Sequence, residues 1–434
     1  MTLTHPMLRS GPRRWSHCLA AAVLALVAHA SLAQELPAAR PEELGLSSER
    51  LSRIGDWIRA EVAAGRVPGA VVMVARNGRL AYYEAIGRQA AAAPGAMRKD
   101  SLFRIYSMTK PLVSVAALML VEEGKLLLEA PVSRYIPSFA NLKVGVEKVD
   151  PVTGARSLEL VAVRRQMTVQ DLLRHTSGLT YGFFGDSLVK KAYLDAGVGS
   201  GDLNTAEFAE KLATMPLHYQ PGSTWDYSYS TDVLGRVLEV VSGQSLYSLL
   251  RARLLDPLGM RDTMFYVTDP ARQSRIAEPL ADDRVIGAGA TVGDPRVVQK
   301  FESGGGGLVS TATDYSRFLQ MMLNGGTLDG RRYLSPKTIE YMTADHLGSS
   351  VATTPLYLPG PGHGFGLGFA TRKVTGEAAY ITPAGDYWWG GAGGTYFWVD
   401  PKTNLFVVFM MQSPKQRVVY RSVLRNMVYA AVEK

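Results

Sequence analysis

Ser107 and Lys110 open the segment that most restricts what this chain can become. The run Arg104-Ile-Tyr-Ser-Met-Thr-Lys110-Pro111 leads into Leu-Val-Ser-Val-Ala-Ala-Leu-Met-Leu-Val-Glu-Glu and stops at Gly124. Apolar periodicity with a Gly stop predicts a helix over 107–123. Residues i and i+3 share one face of a helix, so the lysine ammonium reaches the serine hydroxyl. A serine alone is a poor nucleophile, and a basic amine beside it can take its proton. Unpaired N–H groups at a helix start also favour a developing oxyanion. A second copy of the spacing, Ser187 to Lys190, follows a turn-rich stretch and leads into no long apolar helix. Ser107 is therefore the preferred nucleophile.

The remaining composition narrows the chemistry. The chain has 434 residues, 47% hydrophobic and 20% charged, which is globular composition with length for a large core. Arg9, Arg13 and Arg14 precede an apolar run over 18–28, then Ser31-Leu-Ala33 and Gln34. This pattern, whose apolar run is too short to span a bilayer comfortably, predicts a secretory signal peptide over 1–33 and hence a periplasmic or extracellular protein. Its removal takes away three arginines and no acid, so the net charge falls from +8 to +5. No block of like charge accompanies it, so no nucleic-acid partner is expected. The only cysteine, Cys18, leaves with the leader. The four later histidines, His175, His218, His346 and His363, show no paired ligand spacing. No metal site and no cofactor are expected. No Gly-x-Ser-x-Gly is present, and Gly304–Gly307 lacks the Lys-Ser/Thr of a phosphate loop. That glycine run reads as tight backbone packed near the site.

Periodicity places strands at both ends of the chain. A helix over 47–64 precedes a hairpin of 69–75 and 80–86 around Arg76-Asn77-Gly78. Strands are expected at 378–381, 395–400 and 405–412, then a closing helix over 416–433. Helices are expected over 168–174, 205–214, 231–242, 245–254, 311–324 and 335–343. Residues 346–368 read as a long surface loop. The predicted fold class is α/β: an antiparallel sheet built from both chain ends and flanked by helices, plus a mainly helical region. The sheet-bearing part is expected over about 41–106 and 346–434, and the helical part over about 107–345, within one domain of 34–434.

Two further segments carry a resemblance. Pro221-Gly-Ser-Thr-Trp-Asp-Tyr227-Ser-Tyr229 runs from a turn into a helix, and Trp389-Gly390-Gly391-Ala392-Gly-Gly-Thr395 starts a strand pair. With Ser107-x-x-Lys110, Thr168 to Leu179 and Gly305 to Ala312, they resemble the serine β-lactamase and penicillin-binding-protein superfamily. The likeness spans about 41–430 and is closest to the class C-like esterases called family VIII carboxylesterases. It implies a β-lactamase-like fold and an acyl-enzyme on Ser107. Lys110 would keep the Ser107 proton mobile, and Tyr227 would exchange it with the leaving alcohol. The backbone N–H groups of Ser107 and Ala392 would form the oxyanion hole. Trp389, Gly390, Gly391 and Tyr229 would line the substrate site.

The departures from the pattern shape the expected substrate. Class C lactamases carry Tyr-x-Asn where this chain has Tyr227-Ser-Tyr229, and Lys-Thr-Gly or a near variant where it has Trp389-Gly-Gly391. Both missing elements are polar anchors for amides and carboxylates. A neutral ester, small or medium in size, is the expected partner, with weak lactam turnover. Arg372 or Lys373 could restore a carboxylate site by folding into the pocket. An acyltransferase, a D-amino-acid peptidase or a β-lactamase on the same scaffold, or a penicillin-binding sensor without turnover, remain alternatives. Oligomeric state is not legible.

Overall fold

Seven antiparallel strands form the sheet that carries the site. The computed structural model describes residues 1–2, 35–90, 95–199, 202–287 and 290–434. The leader expected over 1–33 lies outside them beyond its first two residues. Strands β1 (Gly69–Arg76) and β2 (Arg79–Gly87) come from the N-terminal part. Strands β3 (His363–Phe365), β4 (Ala370–Arg372), β5 (Tyr387–Gly390), β6 (Tyr396–Asp400) and β7 (Leu405–Met411) come from the C-terminal part. Their order is β3-β4-β5-β6-β7-β1-β2, so the two ends of the chain meet at β1 and β7. That junction is in register from Ala70 opposite Met411 to Arg76 opposite Leu405. The β1–β2 turn places Asn77 at φ 53° and Gly78 at φ 71°, the twist a two-residue hairpin favours.

Burial follows from the layers. All but the last residue of β1 and every residue of β7 are buried. A strand covered on both faces carries a continuous apolar run, as Leu-Phe-Val-Val-Phe-Met-Met does. Helix α1 (Ser48–Ala63) packs on β1 and β2 through Leu51, Ile54 and Ile58. Each such side chain contributes roughly 1.5–3 kcal/mol by leaving water. Helix α2 (Thr109–Glu122) is the long apolar segment, buried from Thr109 to Leu120. It packs against α3 (Ser230–Ser242), while α4 (Ala312–Leu323) lies on β7 and β1 and α5 (Arg417–Ala430) packs beside α1.

Several expected elements take other forms. Residues 378–381 are not a strand: Gly376 and Gly385 flank them at positive φ, and the Ile381 N–H donates to Asn426 Oδ1 at 2.8 Å. The strand of that region is β5. The loop expected over 346–368 contains β3, whose three residues are too few to show a period. A hairpin of Lys143–Val149 and Arg156–Ala162 stands inside the region read as mainly helical. It is largely exposed, so it lacks the apolar alternation that marks a half-buried strand.

Candidate active site

The turn before α2 sets Ser107 in place. Phe103–Arg104 pairs with Val309–Ser310, and the Ile105 N–H donates to the Leu308 carbonyl at 3.0 Å. The chain then turns through Tyr106, whose φ of 43° is unusual for a residue with a bulky side chain. Such a conformation persists where the surroundings over-determine it. The Thr395 hydroxyl donates to the Ile105 carbonyl at 3.3 Å, the Tyr315 hydroxyl donates to the Met108 carbonyl at 2.9 Å, and Thr109 Oγ1 accepts from the Leu308 N–H at 3.2 Å. A single turn of 3-10 helix, Tyr106–Met108, leads into α2.

Lys110 sits one turn further on, fully buried. Its Nζ lies 3.4 Å from Ser107 Oγ, 3.1 Å from the Tyr181 hydroxyl and 2.7 Å from the Gly305 carbonyl. It also stands 4.5 Å above the Tyr227 ring centre. Gly305 is held from its other side, where its N–H donates to Asp232 at 3.0 Å and Ser303 Oγ donates to the same carboxylate at 2.5 Å. Burial pushes the Asp232 carboxyl up, and the Lys110 charge opposes that shift. The glycine run therefore does pack at the site, as a backbone acceptor for the lysine.

Tyr227 precedes α3 in an extended segment fixed by backbone bonds, Trp225 N–H to Ala352 and Asp226 N–H to His175. Its hydroxyl accepts from Trp389 Nε1 at 3.2 Å. Its ring lies 4.9 Å from His175, 5.3 Å from Tyr181 and 5.3 Å from Trp389. Burial, and then the Lys110 charge, push the His175 imidazole well below its ordinary range, so it stays neutral. Burial raises Tyr181 well above the usual phenol range, so it stays protonated.

Ser107, Tyr227, Trp389, Gly390, Gly391 and Ala392 all line one cavity of about 760 Å³. A Cβ at Gly391 would stand 2.5 Å from the Ile105 carbonyl oxygen, so glycine lets the end of β5 meet the Ser107 turn. Tyr229 reaches the same cavity from the N-cap of α3, with its hydroxyl donating to the Val198 carbonyl at 3.0 Å. Arg372 and Lys373 do not line it: Arg372 donates to the Pro361 carbonyl and Lys373 pairs with Asp345 at 2.9 Å. Among the described residues no group of three metal-ligating side chains occurs, and no helix is long and apolar enough to cross a membrane.

The second Ser-Lys pair is structural in its contacts. Ser187 caps the helix Leu188–Asp195, its Oγ accepting from the Lys190 N–H at 3.0 Å. The Lys190 ammonium turns to the Phe184 carbonyl. Ser187→Ala should cost about 1 kcal/mol of stability through the lost cap and keep most turnover. Denaturant melts and an ester assay on the same preparation check both.

Tyr181 and Asp232 were not among the residues singled out by sequence. A signal existed for each. Tyr181 follows the Thr168–Leu179 segment by two residues, and Asp232 is an acid in the first turn of the helix behind Tyr227.

A serine beside a buried amine that also lies over a tyrosine ring, on this sheet, is the arrangement of a serine hydrolase. The chain belongs to the β-lactamase family, whose profile, described as Beta-lactamase, matches residues 54–430. Esterase EstB of Burkholderia gladioli is 33% identical over 391 residues, covering 84% of this chain and 91% of that protein. Lovastatin esterase of Penicillium rubens is 30% identical over 378 residues, covering 82% and 91%. Among solved structures, EstCE1, described as a hydrolase with promiscuous acyltransferase activity, superposes with a TM-score of 0.74 at 28% identity, over 89% of this chain and 99% of that one. The fold is β-lactamase-like.

Proposed function

We propose that this protein is an exported serine carboxylesterase that cleaves small to medium carboxylic esters through an acyl-enzyme on Ser107. The observation that carries the reading is the Lys110 ammonium, within reach of Ser107 Oγ and stacked over the Tyr227 ring. Ser107 Oγ attacks the ester carbonyl carbon while the Lys110–Tyr227 pair, with one of its two groups in the basic form, takes the Oγ proton and delivers it to the departing alcohol oxygen as the C–O bond breaks. Water then attacks the acyl-enzyme, losing its proton to the same pair, and Ser107 recovers its own. The N–H groups of Ser107 and Ala392 hold the oxyanion, each worth roughly 3 kcal/mol in the transition state. Trp389 orients the phenol through its indole N–H and gives the site an apolar wall.

Ester turnover should exceed lactam turnover. Tyr229 stands where an amide-holding asparagine would be needed, and its hydroxyl is already bonded to Val198. A site without partners for an amide loses about 1–3 kcal/mol per unpaired group. We expect kcat/KM for a butyrate ester to exceed that for a penicillin at least about tenfold. A penicillin value equal to the ester value would move the chain among the lactamases. The EstB and lovastatin esterase likenesses support the ester side. The EstCE1 description favours a test of transfer as well: added methanol should divert part of the acyl group to methyl ester if alcohols enter the cavity beside the acyl-enzyme.

Export rests on the leader pattern of 1–33. The mature protein should begin near Gln34, and N-terminal sequencing of protein recovered from outside the cytoplasm checks it. An uncleaved cytoplasmic chain would refute export.

A further inference from the structure

Tyr106 holds a conformation that a glycine would take more easily. Its φ of 43° lies in the left-handed region, where a bulky side chain is strained and glycine is not. The residue stands directly before the nucleophile and lines the cavity that holds Ser107. Strain kept at such a place points to a task for the side chain. The contacts of the ring show which task.

One edge of the ring lies against the turn that follows β5. A Cβ at Gly393 would stand 2.8 Å from Tyr106 Cε2 and 3.0 Å from its Cδ2, so the glycine backbone rests on the ring itself. Gly393 is the next residue after Ala392, whose N–H is the second oxyanion donor of the reading above.

Backbone bonds close the rest of that turn. The Gly391 N–H donates to the Thr395 carbonyl at 2.8 Å, the Gly394 N–H to the Gly391 carbonyl at 3.1 Å, and the Ser413 N–H to the Gly393 carbonyl at 2.7 Å. These bonds set where the turn begins and ends, and the ring sets how deep it sits beside Ser107. The far end of the ring is fastened too. The Tyr106 hydroxyl accepts from the Gly293 N–H at 3.2 Å, and Arg104 Nε donates to the Gly293 carbonyl. Arg104 is buried and also donates to the Ala277 carbonyl at 2.9 Å. The ring is thus held between the Gly293 backbone and the Gly393 turn. Burial pushes the Tyr106 phenol up against the opposing Arg104 charge, so it stays neutral and serves by position, not as a base.

We propose that Tyr106 is a positioning residue: its ring, wedged between Gly293 and the 391–394 turn, sets the place of the Ala392 N–H beside Ser107 and so the geometry of the oxyanion hole. The flat ring does this work, and the hydroxyl steadies it. The proposal rests on the acyl-enzyme reading of Ser107.

The test uses the full chain with Tyr106→Gly, Tyr106→Leu and Tyr106→Phe, all measured well below their thermal midpoints. Tyr106→Gly removes the ring and the φ strain together, so a loss in it does not come from backbone strain. Its kcat with a chromogenic butyrate ester should fall about ten- to a hundredfold, with KM changing less. Tyr106→Phe keeps the ring and should hold kcat within about threefold of the parent. Tyr106→Leu keeps apolar bulk without a flat ring; it should lose at least about fivefold and carries the test if Tyr106→Gly does not fold. Phenylboronic acid reads the oxyanion site without turnover. Ser107 Oγ bonds to boron, its proton goes to the Lys110–Tyr227 pair, and an oxygen of the tetrahedral boronate takes the oxyanion position. Its Kd by titration calorimetry should rise at least about tenfold in Tyr106→Gly and stay near the parent value in Tyr106→Phe. A merely structural role would lower the thermal midpoint and leave both kcat and this Kd in place. Ring-less variants within about twofold of the parent in both quantities overturn the proposal, as does a Tyr106→Phe variant as slow as Tyr106→Gly. If the parent binds the boronate but hydrolyses no ester, the esterase reading falls, while weaker boronate binding in Tyr106→Gly upholds the positioning role. A parent that does neither overturns both.

Discussion

Ser107→Ala lowers ester turnover about a thousandfold or more and leaves the protein folded. The covalent route needs the Oγ, and no other hydroxyl takes its place, because the turn holding Ser107 is fixed by Ile105, Met108 and Thr109 contacts rather than by the serine itself. Removing Oγ takes nothing from those bonds, so the thermal midpoint should stay close to that of the parent. The measurement is kcat/KM with a chromogenic butyrate ester, with circular dichroism on the same sample. Mass spectrometry adds a second reading: a slow ester or fluorophosphonate should add one acyl or phosphonyl group to the parent on the peptide containing Ser107 and none to the variant. Full activity in Ser107→Ala, or label on Ser187, would sink the assignment of the nucleophile.

The parts of this molecule legible in sequence are those with long, uniform physical signals. The α2 segment reads as a helix because its apolar run is bounded by Gly124, and the β1–β2 hairpin because Asn77-Gly78 takes the left-handed conformations its turn requires. The pairing of both chain ends follows from strands at each end with helices between. Short elements escape this kind of reading. β3 and β4 have three residues each, and 378–381 has strand-like residues that join no ladder, the Ile381 N–H going to Asn426 instead. The site divides the same way. Ser107 and Lys110 are neighbours on one helix, so spacing alone brings them together. Tyr227 and Trp389 come from distant segments and were placed by resemblance; no spacing rule could join them. Asp232 is not legible from spacing because it meets the lysine site through tertiary contacts, among them the Gly305 N–H, which joins the first turn of α3 to the glycine run 73 residues on.

Lys110→Met should lower kcat about a thousandfold, and Tyr227→Phe by a similar factor of roughly 10²–10⁴. The double variant should be no more than about tenfold worse than the poorer single one. The reason is that the two groups serve one proton path: the ammonium lies over the phenol ring and against Ser107 Oγ, so removing either leaves the other without its task. Independent roles would multiply, and a double variant slower by the product of the two factors would refute a shared path. The lysine also holds the Gly305 carbonyl, and a buried acceptor left without a donor costs about 1–3 kcal/mol. Lys110→Met should therefore melt earlier than the parent, whereas Tyr227→Phe loses one 3.2 Å bond from Trp389 and should melt closer to it. This split separates chemistry from scaffolding. If Lys110 were only a structural bolt, its activity loss would recover at lower temperature, where the variant is fully folded. A loss that persists at temperatures well below the melt assigns Lys110 to the proton transfer itself.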